Sequence, residues 1–254
     1  MHAIKSLLVV WKNTKDNLYY HVGTLNYDGQ KYTFEYTFKS NSPRTVTEAI
    51  RRGYRLHPAF PLLQKTYQSE ELFPAFDRRI PDNTRIGFEN ILDEFGLPAT
   101  ADRMDILRET RGMLSQDPYS FEEPLRLNGE ELRSNFYVNG IRHQGHISEN
   151  WYDYVREGDS LIPELEEDNK FDSYAVKVMT SSGVHIGCIP GIYAQAVHSL
   201  LKQRISVELT VQQLRPQFAS QWWVRVRLEA TIELENTDER YRHNLEGFIF
   251  QESA

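Results

Sequence analysis

The chain has 254 residues, of which 40% are hydrophobic and 26% charged, enough apolar material for one large globular core or two ordinary ones. Its net charge of -7 gathers in residues 131–254, with 12 basic and 18 acidic side chains against 17 and 18 in residues 1–130; this balance excludes a general DNA-coating protein, which needs many Lys and Arg contacts to phosphate. The single cysteine, Cys188, excludes an internal disulfide and a cysteine framework for structural zinc, and fits a reducing compartment.

The opening "MHAIKSLLVVW" holds only a short apolar run without a leader pattern, and no later stretch approaches membrane-spanning length. A soluble, cytoplasmic protein with no membrane partner is expected. Alternation in "SLLVVWKN", "LYYHVGTLNY" and "KYTFEYTFKS", separated by "KDN" and "YDGQ", predicts a three-stranded antiparallel meander. Helical spacing begins at "TVTEAIRRGYR". Two helices are predicted in "SEELFPAFDRRIPDNTRIGFENILDEFGL", divided by Pro81 and Asp82, with Ser69 as N-cap; Thr100 is expected to open a third in "ATADRMDILRET".

Pro118, Pro124 and the "LNGEE" turn predict a loose connection over residues 120–133, and a domain boundary there. Beyond it, "SNFYVNGIRHQG", "SLIPELEE", "SYAVKVMTSSGVHIGCIP", "RISVELTVQQL" and "QWWVRVRLEATIELE" read as strands, with one clear helix in "IYAQAVHSLLKQ". The fold class is therefore α+β: an antiparallel meander with helices over residues 1–125, then a small, mostly-β barrel with one or two helices over residues 131–254.

The stretch "LEEDNKFDSYAVKV", Leu165 to Val178, loads acids beside a strand. Calcium is disfavoured because Lys170 interrupts the acids and no glycine appears, and three consecutive acids on a turn do not imply a pair facing across a cleft. Recognition of a nucleic-acid end and a plain acidic turn stay open. In the plain alternative, Phe171 caps the barrel core and Asp172 holds the turn through backbone amides. His143, His146, His185 and Cys188 have tempting metal spacing, but strand residues three apart point to opposite faces, so no metal or other cofactor is expected. In "QWWVRVRLEA", alternation sends Trp222, Val224, Val226 and Leu228 to one face. Trp223, Arg225 and Arg227 then form a stacking-plus-basic surface on the other.

Three ordered motifs in the second half resemble the HIRAN domain, a small β-barrel module found alone in bacteria and attached to fork-remodelling helicases in eukaryotes. "NGIRHQG" resembles the family's Gly-x-Arg-aromatic element, "EEDNKFDSYAVKV" its Glu-Pro-x-Asn-Pro-Tyr-Asp-x-Asn-Ala-Val core, and "GVHIGCIPGIYAQAV" its Gly-x-x-x-Gly-Tyr-x-Pro turn and helix. In members that bind single-stranded DNA, the Tyr-Asp pair stacks on the terminal base and accepts a hydrogen bond from the free 3′-hydroxyl. The resemblance places these roles on Phe171 and Asp172, with Asn169 positioning the loop or touching the sugar and Arg142 contacting phosphate. His143 and Gln144 stand where binding members have an aromatic pair, Gly191 where they have a basic residue, Leu165 where arginine is common and Tyr174 where Asn is usual. Stacking and phosphate contacts are accordingly thinner, and Glu166, Glu167 and Asp168 add repulsion.

Over residues 5–125, "VGTLNYDGQKYTFEY", "LFPAFDRRIPD", "NILDEFGL" and "RGML" resemble, in order, the N-terminal subdomain of HipA toxin kinases. The kinase core has no counterpart: there is no Gly-rich phosphate loop and no catalytic Asp with a downstream metal-binding Asn. The resemblances imply a non-enzymatic accessory protein with no catalytic residues, whose barrel binds a single-stranded DNA 3′ end while the first domain docks a partner. The alternative they imply is an antitoxin-like subunit that controls a separately encoded HipA-like kinase, or pairs with a helix-turn-helix protein.

Overall fold

A computed structural model describes residues 4–40, 42–115, 117–147 and 149–251, so the first three residues of the opening segment lie outside it. The chain divides into two compact units, 1–123 and 124–254. Strands β1 (Lys5–Lys12), β2 (Tyr19–Tyr27) and β3 (Tyr32–Tyr36) form the expected meander. Helix α1 (Val46–Arg51), strand β4 (Tyr67–Ser69), helices α2 (Pro74–Asp77), α3 (Phe88–Glu94) and α4 (Arg103–Thr110), and strand β5 (Tyr119–Glu122) complete the first unit. Its sheet runs β4-β3-β2-β1-β5. β1 is an interior strand between β2 and β5, and Leu7, Leu8, Val9 and Val10 are all buried, so this strand has two apolar faces.

Phe34, Phe60, Phe73, Phe76 and Phe121 interlock in the core at ring separations such as 4.4 Å for Phe34–Phe60 and 5.0 Å for Phe76–Phe121. α2 is a single turn. Pro74 sits at its first position, where a missing amide hydrogen costs nothing, and the chain leaves the helix by Arg78. Ser69, expected as an N-cap, instead ends β4 and accepts the Glu71 amide. Thr100 is likewise displaced as a cap: Asp102 opens α4 in a capping box with Asp105, and Lys5 pairs with both carboxylates at 2.8 and 2.7 Å.

At the other end of α4, Arg111 adopts φ +53° and turns its guanidinium onto Glu122 of β5 through three hydrogen bonds of 2.6–3.1 Å. Ser120 donates to the same carboxylate at 2.7 Å. Both members of the pair are buried.

The 120–133 stretch is mostly strand, contrary to the expected loose connection. β5 fills its first residues, and β6 (Leu125–Asn128) and β7 (Glu131–Tyr137) fill the rest, joined by a tight turn at Gly129. Prolines 118 and 124 lie just outside the strands, where a missing amide breaks no ladder bond.

The second unit continues with β8 (Ser160–Leu165), β9 (Val176–Thr180), β10 (His185–Cys188), α5 (Gly191–Lys202), β11 (Val207–Leu214), β12 (Val224–Thr231), α6 (Glu239–Glu246) and β13 (Ile249–Gln251). The eight-stranded order is β10-β9-β8-β11-β12-β7-β6-β13. Just past β7, Asn139 exchanges both backbone hydrogen bonds with Cys188 at 2.8 and 2.9 Å, so the strands from β10 to β7 curl back on themselves as a half-barrel. The apolar face of α5, with Ile192, Tyr193, Ala196, Val197 and Leu200, is buried. No helix among the described residues is long and apolar enough to cross a membrane.

Two corrections concern the C-terminal strands. Trp222 ends a helical turn before β12 and Trp223 caps it, and the strand stops at Thr231 rather than running through "IELE". α6 and the parallel pairing of β13 with β6 follow.

Closure depends on Gly187. A Cβ there would meet the Asn139 carbonyl at 2.5 Å and Val138 Cγ1 at 2.7 Å. Gly187→Ala is expected to destabilise the second unit by about 1–3 kcal/mol, the range for overpacking. Urea denaturation followed by tryptophan fluorescence, which Trp151, Trp222 and Trp223 dominate, checks this.

Candidate nucleic-acid interface

The segment 166–175 joins two paired strands, with Leu165 opposite Val176 at its base. Asparagine here acts as a peg: Asn169 Oδ1 accepts the amides of Phe171 and Asp172, each at 2.9 Å, and its Nδ2 donates to Glu166 at 2.7 Å. Asp172 Oδ1 then accepts the Tyr174 amide at 2.9 Å. The backbone is thus fixed on both sides of Phe171 while the ring is 83% exposed. The plain-turn expectation holds for Asp172 but not for Phe171, which caps no core because the two pegged amides turn it outward.

The acids beside it are mostly engaged. Glu167 binds Lys202 of α5 at 2.6 Å, and that hydrogen bond lowers the Glu167 carboxyl below the usual range. Glu166 lies 3.7 Å from Lys177 of β9, while Asp168 is exposed. The repulsion expected of these three carboxylates is therefore partly neutralised by two lysines. α5 also meets the loop one turn earlier, where the ring of His198 packs edge-on against Tyr174 at 5.3 Å. Burial holds the His198 imidazole below its ordinary pKa, with Lys202 adding to this and Asp172 and Glu167 opposing it.

Arg142 and His143 follow the closing bridge. Gly140, at φ +79°, turns the chain from Asn139 into the 3-10 turn Ile141–His143, which buried Ile141 anchors. Both basic side chains are exposed, and Arg142 Nε donates to His143 Nε2 at 3.1 Å. Strand pairing relates this turn to the loop: Asn139 bridges Cys188, Cys188 pairs with Lys177, and Lys177 reaches Glu166. Asn169, Phe171 and Asp172 thus lie together, with Arg142 and His143 beside the neighbouring strand.

Trp223 and Arg225 do not form the expected open stacking surface. The expected alternation holds, with Trp222, Val224, Val226 and Leu228 buried and Arg227 exposed, but Trp223, which caps the helical turn, is only partly exposed. Its ring stacks on Trp151 at 5.3 Å, its indole donates to the Phe218 carbonyl, and Arg225 lies over the Tyr137 ring at 5.9 Å. The exposed aromatics nearby are instead Tyr152 and Tyr154.

His185 and Cys188 also depart from simple strand geometry. A bulge between His185 and Gly187 rotates the register, bringing Nε2 within 3.9 Å of Sγ, although residues three apart should face opposite ways. Burial pushes the Cys188 thiol up to about 11, and His185 Nε2 is 2.8 Å from the Gly187 carbonyl. Among the described residues, no three His, Cys, Asp or Glu side chains converge as a metal set.

Sequence reasoning missed His198, Lys177 and Lys202 at this loop. The available signal was the i, i+4 spacing of His198 and Lys202, which puts both on one helix face.

No curated protein matches the sequence. Among solved structures, the chain is similar to the HIRAN domain of human HLTF, with 16% identity over 49% of this chain and 93% of that one and a TM-score of 0.34. It is similar also to a protein from Lactobacillus plantarum, with 20% identity over 41% and 99% and a TM-score of 0.35. The HLTF HIRAN domain in its DNA-bound conformation matches at 20% identity over 46% and 83%, with a TM-score of 0.29. The stretch of this chain that carries Arg142, Asn169, Phe171 and Asp172 is the stretch that matches the HIRAN domain family model, residues 132–235.

Proposed function

We propose that the chain is a non-enzymatic accessory protein whose HIRAN-like domain, residues 131–254, binds the 3′-hydroxyl end of single-stranded DNA in the cytoplasm, while a HipA-like domain of residues 1–125 docks a protein partner. The observation that carries this is Phe171, an 83% exposed ring on a loop pegged by Asn169. A base stacking on it meets a preorganised surface and need not order the loop first. Asp172 sits next to it. A carboxylate has two oxygens with about four acceptor sites, of which the Tyr174 amide takes one, and a sugar hydroxyl is a donor that such an acceptor can take.

Arg142 serves as the phosphate contact, with His143 beside it; Trp223 and Arg225 are supports of the barrel wall rather than stacking residues in this proposal. The proposed partner of the first domain is a separately encoded HipA-like serine/threonine kinase or a helix-turn-helix protein, which exposed Leu62 and Ile86 would meet. Co-purification with such a kinase, and loss of its activity in the complex, would favour the antitoxin-like alternative.

Fluorescence anisotropy on matched oligonucleotides tests the DNA reading. Asp172→Ala removes an acceptor and also a repulsive charge, so it should narrow the preference for a 3′-hydroxyl over a 3′-phosphate more than it weakens binding overall. Arg142→Ala should lower affinity on every end type and reduce the salt slope by about 0.7, the value of one single-strand phosphate contact. An unchanged end preference in the first variant, or an unchanged slope in the second, would remove that residue from the site.

A further inference from the structure

We propose that Lys202 of α5 is a further phosphate contact of the same site, kept in reserve by Glu167, whose carboxylate the DNA phosphate displaces. This rests on the DNA-end reading and extends it to the last turn of α5, beyond the motif that ends at Val197. Of the positions where the resemblance implies cations, Arg142 is kept but two others hold Leu165 and Gly191, so further phosphate charge must be met from elsewhere. α5 supplies it. Lys202 Nζ is 2.6 Å from Glu167 Oε1, and His198, one turn earlier, packs on Tyr174, so this helix face borders the loop on both sides of Phe171.

Glu167 stands four residues before Phe171, and its side chain is 70% exposed while that of Lys202 is 34% exposed. An exchange of partners therefore buries no charge: the ammonium passes from a carboxylate to a phosphate oxygen, and the released carboxylate returns to water. Ion pairs this exposed are weak, so a phosphate held nearby by base stacking on Phe171 competes for the lysine at high effective concentration. Glu166 and Lys177 repeat the arrangement at 3.7 Å on the strand side of the loop. In the free protein the two pairs mask the cations, which explains how an acidic stretch can border a site for an anion.

Anisotropy of a labelled 3′-hydroxyl oligonucleotide with the full chain tests the proposal, using wild type, Glu167→Gln, Lys202→Gln and the double variant. Glu208→Gln, at an exposed acid on β11, controls for net charge. Glu167→Gln should tighten binding about three- to five-fold, the worth of a freed exposed cation, and Lys202→Gln should weaken it by a similar factor. In the Lys202→Gln background the Glu167→Gln gain should fall below about 1.5-fold, because no lysine remains to be freed. A gain equal in both backgrounds and matched by Glu208→Gln would show long-range charge alone and overturn the proposal. So would weaker binding by Glu167→Gln with an unchanged melting temperature. If wild type binds in a Phe171-dependent way and Glu167→Gln changes nothing, only the Lys202 assignment falls; if wild type binds no DNA, the site falls with it.

Discussion

Replacing Phe171 by alanine is expected to lower affinity for single-stranded DNA by about 1–3 kcal/mol, or roughly five- to 150-fold, the loss of one stacked base. With few other aromatics on the loop, that loss can remove measurable binding. Stability should stay within about 0.5 kcal/mol, because the ring is 83% exposed and the turn is held by Asn169 and Asp172 rather than by Phe171. Anisotropy together with thermal unfolding separates the two effects. A large fall in melting temperature would mean that the ring packs against the protein in solution, and the stacking assignment would then fail.

Glu122→Ala should have the largest effect on stability, about 3–5 kcal/mol, and it should act on the first unit. The variant removes the carboxylate that accepts three hydrogen bonds from buried Arg111 and one from Ser120, and breaking one side of a buried pair costs far more than the pair contributes net. Hydrogen exchange resolves where the damage falls. Amides of β1 and β5 should lose protection while those of β9 and β11 keep theirs; protection lost equally throughout would contradict a unit-specific role for this pair.

Much of the fold was legible from periodicity alone. The meander, β8 to β11 and α5 follow apolar patterns that leave little choice of element. What failed was punctuation. Pro118 and Pro124 look like loop markers, yet each lies just outside a strand and interrupts no ladder. Ser69 and Thr100 are good cap residues in composition, but Asp102 wins because Asp105 and Lys5 complete its network from both sides. Alternation also failed locally where the backbone broke it, at the bulge beside Gly187.

The site divides along similar lines. Asn169, Phe171 and Asp172 are neighbours in sequence, so a motif finds them together. Exposure is another matter: the residues alone do not say whether Phe171 points in or out, since this depends on which amides Asn169 accepts. Glu167 and Lys202 are 35 positions apart and meet only because α5 packs back beside the β8–β9 loop. Charge counted along the chain therefore overstates the negative field at the loop.

The most direct test of the account is competition against a labelled 3′-hydroxyl oligonucleotide by the same sequence in three forms: free 3′-hydroxyl, 3′-phosphate and covalently closed circle. An Asp172 hydrogen bond to the terminal hydroxyl predicts that the free end competes at least about tenfold better than either of the others, in line with the worth of a charged hydrogen bond. Equal competition by all three would contradict end recognition and leave the 166–175 loop as a protein-facing turn.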